Sequence, residues 1–300
     1  MDNKQKHRWE QIKKREFGKK HKCMYPGCTE NSNYSHVFQR ATILKQLCTD
    51  NQIRMFEFSP LFYEESPRYK LDGISNTFGF YGFCDYHDSK LFKPIEDNTT
   101  ELTWSKRESW YLLSYRTVLC MLASARNAMN VYRSFDSEFP DEIRLSRPYE
   151  LLNKQIELGE VYRQILENGI KNNDYTQLNF YYRVLDYRIE IANASCHYFD
   201  EPLYFGPIEN KRFYICMIFP YESKTYIIIG YKDGYNGSDN WIETVKKYFT
   251  SELMPDNYLG VNEILISSGF HCMKPSYFDK IPKDTLNKFI TDWKESNITV

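Results

Sequence analysis

The chain has 300 residues, of which 42% are hydrophobic and 17% aromatic, and its formal net charge is −1 at pH 7. This composition supports a sizeable core in two domains, or in one domain with a metal-bound appendage. Because no stretch approaches the roughly 18 consecutive apolar residues of a membrane helix, and no apolar segment follows the basic start, we expect a cytoplasmic protein with reduced cysteines and no membrane partner.

The first 22 residues form a basic segment in which nine Lys and Arg residues accompany three carboxylates. Such a cluster attracts a phosphate backbone, because each neutralised phosphate releases condensed counterions. The residues predicted to bind nucleic acid are Lys13, Lys14, Arg15, Lys19, Lys20 and Lys22, together with Arg40. An alternative, compatible with the first, is a solvated amphipathic helix whose Trp9, Ile12 and Phe17 dock on the core.

Two short pairs of soft ligands predict a zinc site. Cys23 and Cys28 flank a turn that contains Pro and Gly, and Cys84 and His87 lie three positions apart at the start of a predicted helix. Structural zinc sites commonly draw two ligands from each of two turns. We call Cys23 and Cys28 the first ligand pair and Cys84 and His87 the second, and we expect one zinc ion to join them. The alternative is that the cysteines are buried free thiols and the histidine is a surface side chain.

The segment between the ligand pairs places His36 on a predicted strand and Asn76 further along, and Asp88 directly follows the last ligand. This order, over roughly residues 20–97, resembles the treble-clef zinc modules of the HNH (ββα-metal) endonucleases. The resemblance implies that His36 is the general base that activates water against a phosphodiester, and that Asn76 is an orienting amide. It also implies that Asp88 binds a catalytic Mg²⁺ or Mn²⁺ ion.

The sequence departs from that family pattern at three positions. Ser35 stands where an acidic residue or His usually binds the cation, Asp88 replaces a usual His, and Asn76 is displaced along the chain. A hydroxyl is a weak ligand for a hard cation, which prefers carboxylate oxygens. His36 therefore keeps two further interpretations, a structural hydrogen-bonding role and zinc ligation in place of one of the four predicted ligands.

Residues 101–192 carry apolar side chains at helical spacing. The periodicity predicts helices over 105–133, 148–171 and 175–191, which short polar breaks would fold into an antiparallel bundle. Tyr115-Arg116 on the first of these helices places an aromatic ring beside a guanidinium. Such neighbours can stack on exposed bases, but packing in and around the core is the commoner role.

Residues 193–300 change to a strand-rich pattern. β-branched and aromatic runs over 212–219 and 224–231 predict an antiparallel hairpin. The later predicted elements are a helix over 241–252, a strand over 263–267 and a helix over 285–294. The predicted fold class is therefore α+β, divided into a basic segment (1–22), an N-terminal treble-clef zinc module (23–100), central antiparallel helices (101–192) and a small C-terminal antiparallel sheet with helices (193–300).

The sequence carries no phosphate-binding Gly-rich loop, Ser nucleophile motif or zinc-protease helix, which disfavours nucleotide hydrolysis and peptidase chemistry. The prediction is a metal-dependent endonuclease of HNH-like type, with an architecture that resembles proteins of bacterial anti-phage defence. The alternative is a catalytically silent zinc module that binds nucleic acid or a protein partner; a weaker one is an inhibitor of a nuclease. The aromatic surplus over 175–231 either covers a contact between copies of the chain or fills the core.

Overall fold

The computed structural model describes residues 2–57, 67–97, 99–140, 146–199, 212–232, 240–250, 254–266, 268 and 270–298. Within these ranges helices and antiparallel strands are mixed, as the predicted α+β class requires. The helices are α1 (Asn3–Phe17), a π-helical turn (Arg40–Leu44), α2 (Asp85–Leu91), α3 (Lys93–Glu96), α4 (Glu101–Trp104), α5 (Arg107–Glu138), α6 (Ser146–Asn172), α7 (Asn240–Thr250), α8 (Met254–Ile266), α9 (Pro275–Phe278) and α10 (Lys283–Ile298). The strands are β1 (Asn33–His36), β2 (Gln52–Glu57), β3 (Arg68–Gly73), β4 (Gly79–Phe83), β5 (Asn179–Leu185), β6 (Ile191–Phe199), β7 (Arg212–Tyr221), β8 (Lys224–Tyr231) and β9 (His271–Met273).

The described strands form two sheets. β1 and β4 make a two-stranded antiparallel sheet, and the other seven strands follow the order β3-β2-β9-β6-β7-β8-β5 with antiparallel pairing throughout. The larger sheet exceeds the small C-terminal sheet that the sequence predicts. It gains β2 and β3, which come from the segment between the two ligand pairs, so one sheet connects the zinc-module segment to the C-terminal residues.

The seven-stranded sheet is covered by helices on both faces. Because successive side chains of a strand point to opposite faces, Ile215 and Met217 of β7 join the core formed with α5 and α6. Cys216 and Ile218 join a second core formed with α7 and α8. The same α5 side also contributes to the core beneath β1 and β4, so the long helix α5 supports both sheets.

Helices α5 and α6 pack antiparallel. Tyr132 lies beside Tyr149 with ring centroids 6.0 Å apart, and Tyr115 donates to Glu167 over 2.8 Å, so partner positions run in opposite directions along the two helices. The predictions of helices over 105–133 and 148–171 are confirmed. None of the helices within the described ranges combines the length and hydropathy needed to cross a lipid bilayer.

The predicted helix over 175–191 is wrong, and with it the three-helix bundle. α6 ends at Asn172, and Asn173 adopts a left-handed backbone conformation with φ 53°. The segment that follows forms β5 and pairs along its whole length with β8. Its Tyr, Phe and Val side chains fit a pleated surface, and the partner strand satisfies its backbone groups, so tertiary pairing overrides the helical spacing.

Among the elements predicted for the C-terminal residues, some are confirmed and one is wrong. The hairpin over 212–219 and 224–231 is confirmed as β7 and β8, as are the helices over 241–252 and 285–294, although residues 251–252 lie outside the described ranges. The strand over 263–267 is wrong, because its described part belongs to α8. Val261, Ile264 and Leu265 are buried at the i, i+3, i+4 spacing of a helix, and a strand forms later as β9.

Candidate metal centre and the His36 cluster

The first ligand pair lies on a tight turn before β1. Gly27 adopts φ 76°, a left-handed conformation that side-chain-bearing residues rarely adopt, and the Cys28 amide donates to the Tyr25 carbonyl over 3.1 Å. The Met24 amide donates to the Gly82 carbonyl of β4 over 2.8 Å. This last hydrogen bond joins the first turn to the strand that leads into the second ligand pair.

The second ligand pair lies where β4 ends and α2 begins. Cys84 is the residue immediately before the helix, in extended conformation, and His87 lies in the first turn. The tight start of α2 places both side chains on one side of the helix. The His87 ring stacks on Tyr25 with centroids 4.1 Å apart, so the second pair also packs on the first turn.

The four ligand atoms converge as a metal site requires. All of them lie within 4.8 Å of one another. The separations are 3.6 Å from Cys23 Sγ to His87 Nδ1, 3.9 Å from Cys28 Sγ to Cys84 Sγ, and 3.2 Å from Cys84 Sγ to His87 Nδ1. A tetrahedral zinc ion with Zn–S bonds of about 2.3 Å places sulfurs about 3.8 Å apart, so the donor set suits an ion such as zinc.

The metal centre, as we call these four residues, is partly buried, with Cys23 and Cys84 buried and Cys28 and His87 half-buried. Burial raises the pKa of the Cys23 thiol to about 11, so a nearby cation is the group that would hold this sulfur as a thiolate at neutral pH. Arg163 of α6 donates to the Met24 carbonyl over 2.5 Å, which fixes the first turn from the opposite side. The structure thus contains a candidate Cys3His metal centre, and His36 is not one of its ligands.

His36 is the last residue of β1 and pairs with Gly79 of β4. Its Nε2 lies 3.1 Å from the Ser75 carbonyl, and since a carbonyl oxygen only accepts, Nε2 donates and Nδ1 keeps a lone pair. Burial lowers the pKa of His36, the Ser75 carbonyl raises it, and the positive charges of Arg40 and Arg116 lower it further, with a net decrease. His36 is therefore a neutral, oriented imidazole at pH 7.

Asp88 lies on α2 one residue after the last ligand, and its charge acts on His36 in the opposite sense, to raise the pKa. The carboxylate already has a cationic partner. Arg116 Nη2 donates to Asp88 Oδ1 over 2.9 Å, and Arg116 Nη1 pairs with Glu96 Oε1 over 2.7 Å. The guanidinium also lies over the Phe92 ring, 3.8 Å from its centroid. We call His36, Asp88, Glu96 and Arg116 the His36 cluster.

Asp88, which the resemblance predicts to bind Mg²⁺ or Mn²⁺, and Ser35, which stands at the position of a usual second ligand, do not fit such an ion. Asp88 is engaged by a guanidinium that cannot lose its charge, and a second positive centre beside it repels a divalent cation. Ser35 is 1% exposed, and its hydroxyl has no hydrogen-bond partner among the described residues. Ser35 neighbours His36 on β1, so its side chain points to the other face of the two-stranded sheet. We derive no catalytic step through a divalent ion.

Asn76 does not meet His36 through its side chain. Its amide nitrogen donates to Asp72 Oδ1 over 3.1 Å, and its backbone carbonyl accepts from the Tyr34 hydroxyl over 3.3 Å. The group that orients the imidazole is the carbonyl of the preceding residue, Ser75. The contact to the imidazole therefore comes from a backbone carbonyl one residue before Asn76.

The predicted nucleic-acid-binding residues are unevenly available. α1 docks on α5 through Trp9 and Ile12, as the amphipathic interpretation predicts, whereas Phe17 remains 39% exposed. Arg15 and Lys19 both pair with the buried Glu16 carboxylate.

The other predicted cations differ in their surroundings. Lys22 donates to Asn31 over 3.2 Å. Lys13 is half-buried, whereas Lys14, Lys20 and Arg40 are exposed. Arg40 is the one whose charge acts on His36.

Arg116 is the residue of the His36 cluster that the sequence analysis does not assign to a site. Its neighbourhood on α5 was interpreted as core or as a base-stacking surface, and both Tyr115 and Arg116 are 1% exposed, which excludes stacking on bases. The signal was an arginine within a run of apolar positions, because a buried cation requires carboxylate partners. The sequence alone does not identify those partners.

Comparisons of the chain with protein-family models, with curated proteins and with solved structures give no match. The functional conclusions below therefore depend on the geometry of the metal centre and the His36 cluster.

Proposed function

We propose that residues 20–97 form an HNH-like treble-clef unit that cleaves nucleic-acid phosphodiester bonds with His36 as general base. The observation that carries the proposal is the oriented imidazole of His36, whose pKa is lowered, on the two-stranded sheet whose other strand leads into the second ligand pair. The antiparallel pair of β1 and β4 followed by α2 supports the proposal, since an HNH-like unit combines two such strands with a helix. A role in anti-phage defence is part of the same proposal, and its only support is the resemblance of the predicted domain order to that of such proteins.

In this proposal the metal centre is a scaffold and the chain's own side chains perform the chemistry. A bound zinc ion would supply the cross-link between the two ligand pairs and hold β1 against α2. His36 Nδ1 accepts a proton from an attacking water, the resulting hydroxide forms the new bond to phosphorus, and the leaving oxygen takes a proton from solvent. The exposed Arg40 guanidinium lies on the His36 side and is positioned to neutralise the phosphate.

The second candidate is a catalytically silent zinc module that binds nucleic acid or a protein partner. The observation that favours it is the ion pair of Asp88 with the buried Arg116, since the carboxylate predicted for catalysis is already engaged. The exposed cations Lys14, Lys20 and Arg40 would then provide binding without cleavage. The two candidates share the scaffold and differ in what His36 does.

The test is cleavage of supercoiled plasmid and of a structured RNA by the full chain, with and without Mg²⁺ or Mn²⁺. His36→Ala is compared with His7→Ala, which removes an exposed imidazole from α1. Loss of a general base should lower the rate about 100-fold or more, and the His7 variant should match the parent. If folded, zinc-loaded parent cleaves neither substrate, or if His36→Ala cleaves as fast as the parent, the silent module replaces the nuclease. Weaker nucleic-acid binding by Arg40→Ala would then support the binding function.

A further inference from the structure

The centre of the His36 cluster is a cation that belongs to the chain. Arg116 is 1% exposed, in the N-terminal third of α5, and its two terminal nitrogens contact carboxylates of two other helices at 2.9 and 2.7 Å. One carboxylate, Asp88, directly follows a ligand of the metal centre, and the other, Glu96, lies on α3. A single guanidinium thus joins α2 and α3 to the long helix that supports both sheets.

The guanidinium is fixed in place from several directions. Phe92 lies against its face at 3.8 Å, and the buried ring of Phe92 packs in turn against Phe83 and Tyr115. The Asp88 and Glu96 side chains retain 30% and 27% exposure, whereas Arg116 is 1% exposed. Carboxylate oxygens are the ligands that a hard cation prefers, and here the cation that contacts both carboxylates is an arginine.

We propose that Arg116 takes the place of a divalent cation in the His36 cluster, so that this site binds neither Mg²⁺ nor Mn²⁺ and acts without them. The two carboxylates contribute two negative charges and Arg116 cancels one. A divalent ion would have to displace a guanidinium that is 1% exposed, or sit beside it against the repulsion of like charges. The consequence for activity rests on the proposed nuclease function, whereas the consequence for metal binding does not.

The binding consequence is tested by titrating Mn²⁺ into the zinc-loaded full chain and counting bound ions by electron paramagnetic resonance. The parent should bind no Mn²⁺ below millimolar concentration. Arg116→Met removes the internal cation and should gain one site at least tenfold tighter than any site in the parent, and adding Asp88→Asn should abolish it. Arg126 lies on α5 as Arg116 does, and it forms a solvent-accessible ion pair with Glu160 of α6. Arg126→Met is therefore the matched control and should gain no site.

Two results would overturn the inference. The first is a parent that binds one Mn²⁺ ion that Asp88→Asn removes. The second is a folded, zinc-loaded Arg116→Met chain that gains no site. If Arg116→Met does not fold, the parent and Asp88→Asn titrations decide the question, because absence of an Asp88-dependent site in the parent supports the inference and its presence sinks it.

The activity consequence separates this inference from the proposed function. Cleavage by the zinc-loaded parent should proceed without added divalent ions at a rate within about twofold of that with Mg²⁺, and a strict requirement for Mg²⁺ would overturn the inference while leaving the nuclease intact. Absence of cleavage in every condition, together with the expected Mn²⁺ titrations, would remove the nuclease and leave Arg116 as the internal cation.

Discussion

The metal centre and the His36 cluster share helix α2, which carries His87 and Asp88, yet the positive charge that balances each site comes from a different source. The metal centre brings three sulfurs and an imidazole nitrogen together and contains no cation of its own, so its donor set calls for an external ion. The His36 cluster brings two carboxylates together around Arg116 and is balanced from within. We therefore expect the first site to respond to removal of metal and the second to substitutions in α5.

The largest effect should follow loss of the external ion. We expect Cys84→Ser to lose the zinc and several kcal/mol of stability, because metal binding and folding of a small metal module are coupled. Metal content by mass spectrometry and thermal unfolding measure both. Cys48→Ser is the control, since Cys48 lies outside the centre and donates to the Lys45 carbonyl. Full zinc content and an unchanged melting temperature in Cys84→Ser would contradict the dependence on metal.

The next effect should follow loss of the internal cation. Arg116→Met leaves Asp88 and Glu96 without their partner, and breaking a buried pair costs about 3–5 kcal/mol. Because both carboxylates keep some exposure, we expect about 2–3 kcal/mol in urea unfolding, with zinc content retained. Arg126→Met should cost less than about 1 kcal/mol. If both variants lose the same free energy of unfolding, the buried Arg116 ion pairs stabilise the fold no more than the exposed Arg126 pair does.

A smaller effect should follow a substitution in the turn that carries the first ligand pair. Gly27→Ala places a side chain at φ 76°, and no atom lies within 4 Å of the new Cβ, so the cost is conformational alone. We expect about 1 kcal/mol of destabilisation and weaker zinc retention against a chelator. Gly27→Asn should lose less, because Asn tolerates the left-handed region better. If Gly27→Ala is as stable as the parent, the turn can adopt another backbone conformation at no cost in free energy, and the left-handed conformation of residue 27 is not required.

The smallest effect should be a pH dependence from His36. Its pKa is lowered in the folded chain, so the unfolded chain binds more protons in the window below the ordinary value of 6.5. Stability from His36 is present above that pH and falls as the pH drops toward the folded-state pKa, at no more than about 1.4 kcal/mol per pH unit. His36→Gln should flatten this part of the profile in urea unfolding across pH 5–7. A profile that steepens after the substitution would reverse the assigned sign.

The two sites also differ in how far the sequence predicted them. Short spacings of Cys and His identify the metal centre, because the residue types and the turn at Gly27 suffice to specify it. The same reasoning placed His36 on a strand and Asn76 in the adjoining loop. It missed the Ser75 carbonyl, since every residue carries one and no residue type marks which carbonyl will meet an imidazole.

Strand and helix assignments show the same limit. The hairpin of β7 and β8 and the helices α5 and α6 follow from local periodicity, which the chain itself carries. β5 was assigned to a helix, because its aromatic spacing suits either structure and its pairing with β8 decides between them. The partners of β2 are likewise distant in sequence, since β2 pairs with β9 as well as β3.

The sequence by itself therefore determined the donor set of the metal centre, the mixed helix and sheet class, and most of the local elements, because residue type and spacing act over a few positions. The tertiary structure decided which cation faces Asp88, which carbonyl orients His36 and which strands share a sheet. These are contacts between residues far apart in the chain. They depend on how α5 packs against the β1–β4 sheet, and no local sequence pattern predicts that packing.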